Sequence, residues 1–167
     1  MAEPILAEPI LAEHIKGSIN RNFCSSTLFL APAVYSYIVN YSNVMWGSII
    51  CFITSAAHHY YQAQNKILRI IDIVCVNSIA AYFVIYCFMH IGCTFYANIM
   101  YGFAFAALVF YFYLLSKPHL YNKYHCIVHV LAITGIMFYI KAYTEWAKKL
   151  QMSPVQTSLV QTSLVQK

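Results

Sequence analysis

Charge is what this sequence has least of: Asp, Glu, Lys and Arg make up 9% of its 167 residues. A soluble domain carries about 25%, so the chain cannot clothe a water-facing surface, and the bilayer is its natural solvent. The basic residues outnumber the acidic ones for a net charge of +5, but they form no cluster. They sit at the ends of apolar runs, where they anchor to headgroups, and no nucleic-acid partner is expected. The six cysteines include no CxxC pair and no regular spacing, which removes a disulfide-framework or dithiol reading. Cys51, Cys75, Cys87 and Cys126 lie in apolar runs and are expected to act as small hydrophobes. A secretory signal is also missing, because Glu3, Glu8 and Glu13 stand where a basic and then apolar stretch belongs.

What the chain does have is hydrophobic length. Hydrophobic residues make up 61% of it, and five apolar runs follow one another at roughly 25–41, 43–62, 67–88, 93–115 and 122–143. Each is close to the ~20 residues that cross the hydrocarbon core, and Pro32 marks a kink site in the first. The expected fold is all-α, a polytopic transmembrane bundle of about five spans over residues 23–146. The flanks differ in kind. AEPIL repeats in tandem over 2–11 and QTSLV over 156–165, so 1–22 and 147–167 are expected to be disordered tails. Tyr41, Trp46, Tyr60, Tyr61, Tyr121, Tyr143 and Trp146 fall near span ends, where amphipathic rings favour the interface.

Lys16, Arg21, Lys66, Arg69, Lys117 and Lys123 share one face of a five-span bundle, and the turns at 40–43 and 89–92 carry no Lys or Arg. The positive-inside rule makes that face cytosolic. Lys141, Lys148 and Lys149 count the other way, in smaller number. The chain is thus expected to be an integral multi-pass membrane protein with its N-terminus near the cytosolic face.

Ionisable side chains inside spans are expensive and mark function by default. They are few here and patterned. SAAHH, near the end of the second span, holds Ser55, His58 and His59. ILRIIDI, early in the third, holds Asp72, and HCIVH, early in the fifth, holds His125 and His129. Residues four apart share a helix face, so His125 and His129 can address one point, as can Ser55 and His59. His58 lies three from Ser55, and the choice between the two histidines stays open. At 1.5 Å per residue these groups fall within roughly 5–12 Å of one membrane face. Three imidazoles and a water make a catalytic zinc site with an open position. A neighbouring carboxylate suits the role of general base, and a serine hydroxyl suits binding the water or a developing oxyanion.

The pattern SxxxH at Ser55–His59, an aspartate in the next helix at Asp72, and HxxxH at His125–His129 resembles the CREST superfamily of membrane hydrolases, which includes alkaline ceramidases and the PAQR/haemolysin III proteins. YNKYHCIVHVLAITG looks like that family's final helix, and LRIIDIVCV like the third helix of its PAQR branch. The resemblance implies zinc on His59, His125 and His129, with Ser55 and Asp72 beside it as catalytic residues and a membrane lipid as substrate or ligand. The family has seven helices against the five counted here, and dropping two between Asp72 and the HxxxH helix keeps the parity. The acidic N-terminal calcium motif of ceramidases is absent, which points to a general lipid amide or ester hydrolase.

Competing readings attach to the same residues. His125 and His129 can serve as interhelical hydrogen-bonding glue, Asp72 can pair with Arg69 three residues earlier, and Ser55 can bond back to a helix carbonyl. Asn77 and Asn98 are expected to join helices. At the level of function, a receptor-like or scaffolding protein with a structural zinc, a b-type haem protein and a bundle without chemistry stand beside the zinc hydrolase.

Overall fold

The computed structural model describes the backbone over residues 21–61 and 66–165, and the side chains of these except at 118, 122 and 152–165. Among the described residues all regular structure is helical. A helix over 21–27 (α1) leads through a turn into α2 (Leu30–Ile38). Then come α3 (Ser42–Tyr60), α4 (Lys66–Tyr86), a π-helical turn (Cys87–Ile91), α5 (Phe95–Ser116) and α6 (Pro118–Val165).

The break between α1 and α2 falls at 28–29, one turn ahead of Pro32. Proline has no N–H to give, and its ring crowds the carbonyl four residues back, which here is that of Leu28. Leu28 and Phe29 close the turn instead with short-range bonds to the Ser25 and Ser26 carbonyls, at 3.2 and 3.1 Å. The turn between α4 and α5 has its own chemistry. Gly92 takes φ 72°, a conformation that glycine adopts without penalty, and the Thr94 hydroxyl caps α5 by accepting from the Ala97 N–H at 3.3 Å.

Among the described residues, three helices are long and apolar enough to cross a membrane: Lys66–Ile91, Phe95–Ser116 and Lys123–Gln151. The other two expected spans fall short for identifiable reasons. Pro32 divides the first, and α3 surrenders apolar character to Asn43, His58 and His59. Outward faces carry Ile70, Val74, Phe105 and Phe112, each at least half exposed, as a lipid-facing surface requires. Arg21 and Asn22 already belong to α1, and the rest of the expected N-terminal tail lies outside the described residues. At the other end α6 continues past 147 to Val165. Ala147, Lys148, Lys149 and Leu150 are all good helix formers, which carries the helix past 147.

α5 packs along α6 and α3 along α4, whereas α4 and α5 barely touch. Gly135 lets the first pair approach: a Cβ there would meet the Phe103 Cβ at 3.4 Å. Gly47 does the same for α3, where a Cβ would sit 3.1 Å from the Phe83 ring. Gly47→Leu therefore overpacks the α3–α4 contact, with an expected loss of about 1–3 kcal/mol, to be read from the thermal unfolding transition in detergent. An unchanged transition would contradict this packing.

The end of the bundle near the α4–α5 turn is sealed by aromatic rings. Phe83 stacks on Tyr139 with centroids 5.0 Å apart, Tyr41 on Tyr143 at 3.8 Å, and the Tyr41 and Tyr139 hydroxyls bond at 2.5 Å. The opposite end is polar.

Candidate metal centre

Histidines enter the polar end from two helices. The last turn of α3 supplies His59, and the first turns of α6 supply His125 and His129 one turn apart. All three are buried, with His59 fully so. Ring centroids lie 5.2 Å apart for His59–His125, 5.3 Å for His59–His129 and 4.7 Å for His125–His129. One nitrogen from each ring can be chosen so that all lie within 4.8 Å of one another. His58 stands beside His59 at 4.8 Å but is not part of this trio.

The electrostatics of the trio are unbalanced. Neither ring nitrogen of His59 has a hydrogen-bond partner, and neither does Nδ1 of His125. A buried polar group left unsatisfied costs about 1–3 kcal/mol. Such atoms in a folded protein call for an explanation, an ion among them. Three converging imidazoles are a donor set that suits Zn, Cu, Fe or Ni.

Next to the trio, the Ser55 hydroxyl donates to Asp72 Oδ1 at 2.6 Å and Thr54 donates to the same oxygen at 3.3 Å. Ser55 thus bonds across to α4 rather than back to its own helix. No described donor reaches Oδ2. Arg69 does not pair with Asp72. Its guanidinium lies over the Tyr121 ring, 5.6 Å from the centroid, and Tyr121 in turn stacks on His125 at 4.6 Å. Burial raises the Tyr121 phenol above its ordinary value, so it presents a neutral hydroxyl. Asn77 donates to the Ile73 carbonyl of its own helix at 2.7 Å and does not bridge helices as expected.

A cavity of about 160 Å³ joins these groups. Ser55, Asp72, His125 and His129 line its polar end, and Phe83 and Tyr139 its far end. Along α6 the lining runs from Tyr121 to Tyr139, on the order of 27 Å at the helical rise. Between the two ends its wall is apolar apart from Asn77.

One contact was not anticipated from sequence. Ser25 of α1 lies 2.8 Å from His129 Nδ1, and Phe29 meets the same ring edge-on with centroids 5.6 Å apart. The available signal was depth: residue 25 opens the first apolar run on the face where the other site residues lie.

No family model, curated protein or solved structure matches this chain.

Proposed function

We propose that this chain is a zinc-dependent integral-membrane hydrolase that cleaves a lipid amide or ester, as its sequence resemblance to the CREST superfamily implies. The observation that carries the reading is the convergence of three buried imidazoles from α3 and α6 beside a hydroxyl–carboxylate pair. Two Zn–N bonds of about 2.0–2.1 Å span at most about 4 Å, so small ring rotations suffice for His59, His125 and His129 to share an ion. A haem fits the same space poorly, because its macrocycle must lie between its two axial rings while these rings already touch.

Zinc held by His59, His125 and His129 would supply Lewis acidity and make water a competent nucleophile near neutral pH. The protein's own groups do the rest. Asp72, which lines the cavity and has Oδ1 engaged by Ser55 and Thr54, accepts a proton at Oδ2 as general base. The single Ser55 proton is committed to Asp72 Oδ1, so Ser55 is a positioning residue that orients the carboxylate. It cannot donate to an oxyanion at the same time. The narrow apolar cavity takes a single acyl chain, held with its carbonyl end at the histidines and its tail toward Phe83 and Tyr139. The loose contact between α4 and α5 is the lipid's way in.

The topology that goes with this reading is multi-pass, with the metal site near the cytosolic leaflet. Lys66, Arg69, Lys117 and Lys123 flank helix ends on the same side of the bundle as the histidines, which supports that orientation.

The test is zinc content of the purified chain together with turnover of a fluorescent lipid amide. About one zinc per chain and hydrolysis that stops on chelation support the proposal. Zinc without turnover favours a receptor-like protein with a structural ion, and no zinc removes both.

A further inference from the structure

The hydrogen bonds around His129 dictate which of its nitrogens is free. Ser25 Oγ lies 2.8 Å from the Asn22 carbonyl oxygen and 2.8 Å from His129 Nδ1. A carbonyl oxygen has no proton to give, and a hydroxyl has only one. With that proton donated to Asn22, Ser25 Oγ faces His129 with a lone pair, and the proton between them belongs to Nδ1. In a neutral imidazole that leaves Nε2 unprotonated.

The geometry favours this direction of donation. A serine hydroxyl bonding three or four residues back is the ordinary local habit of a helical serine. Ser26 makes the same bond to the same carbonyl at 3.0 Å, so two hydroxyls converge on Asn22. Ser25, Ser26 and Asn22 are all buried, and no bulk water competes for these bonds. Phe29 holds the ring edge-on from the other side of the α1–α2 turn. The first apolar segment thus grips one ligand ring of a site built by α3 and α6.

We propose that Ser25 is a positioning residue that fixes His129 as its Nδ1–H tautomer and so presents the Nε2 lone pair to the metal. The inference rests on reading the histidine trio as a zinc site. Metal-bound histidines characteristically donate their second N–H to an outer partner, and loss of that partner typically weakens metal binding 10–100-fold. That partner here is a serine on the first helix, outside the Ser–Asp–His pattern legible in the sequence.

The test uses the full chain in detergent with ¹⁵N-labelled histidine. In metal-free wild type, the resonances that vanish in His129→Ala are expected to show a protonated Nδ1 and a pyridine-like Nε2. An Nε2-protonated His129 would overturn the proposal, and this measurement needs no Ser25 variant to fold. Zinc affinity is then read by chelator competition. Ser25→Ala is expected to bind roughly 10–100-fold more weakly, while Ser25→Thr, which keeps the hydroxyl, binds as wild type does. Equal affinity in Ser25→Ala and wild type would also overturn it. A wild type that takes up no zinc but shows the Nδ1–H tautomer refutes the metal reading and, with it, the ligand-presenting role, while leaving the hydrogen-bond assignment standing. The two failures are therefore separable.

Discussion

His129→Ala is expected to empty the site, with zinc falling from about one per chain to near zero. The two remaining imidazoles, His59 and His125, cannot complete a three-nitrogen set, and no other described histidine or carboxylate joins the trio. Loss of the ring also strands Ser25, whose lone pair then faces a cavity. Elemental analysis of the purified variant reads the first effect. A second measurement separates loss of metal from loss of fold. A ligand that binds only the native state stabilises it by about 2.7 kcal/mol at one hundred times its Kd, so added zinc should raise the unfolding temperature of metal-stripped wild type and leave that of His129→Ala where it was. His125→Ala should behave alike. Full zinc occupancy in either variant would mean that the ion sits elsewhere.

Asp72→Asn is expected to cut lipid-amide turnover roughly 10²–10⁴-fold, the usual contribution of a positioned general base, with zinc content unchanged. The substitution is nearly isosteric. Asparagine can still accept the Ser55 hydroxyl at the oxygen that replaces Oδ1, so the α3–α4 contact survives. What it cannot do is take a proton at the second position. Turnover in the variant equal to wild type would dissociate Asp72 from chemistry and hand the pair a purely structural role, with a receptor-like reading of the whole chain in its place. The two experiments divide the site cleanly: the histidines answer for the ion, the carboxylate for the reaction.

Much of the site was legible because a bilayer makes polar side chains conspicuous. His59, His125, His129, Asp72 and Ser55 stand out against apolar runs, and a spacing of four puts two imidazoles on one helix face whatever the rest of the fold does. His58 and His59 could not be separated that way. Adjacent helical residues diverge by about 100°, and only the rotation of α3 against α6 decides which ring turns inward. Ser55 posed a similar ambiguity, since its own helix carbonyls and Asp72 were both within reach, and the approach of α4 settled it in favour of Asp72. Ser25 was invisible for a different reason. A serine in a membrane helix usually satisfies itself on its own backbone, and this one does, but its lone pair serves a ring 104 residues away.

The amino-acid sequence by itself determined that the chain is helical and made for lipid, because scarcity of charge and unbroken apolar length are properties of composition that no packing can reverse. It also determined which side chains were available for chemistry and that they lie at one depth, since the helical rise is invariant. Rotation and neighbourhood belonged to the tertiary structure alone: which histidine joins the trio, that Asp72 meets Ser55 rather than Arg69, and that α1 reaches His129. These depend on how helices turn about their own axes when glycines and aromatic rings set their spacing, and a linear pattern does not encode that angle.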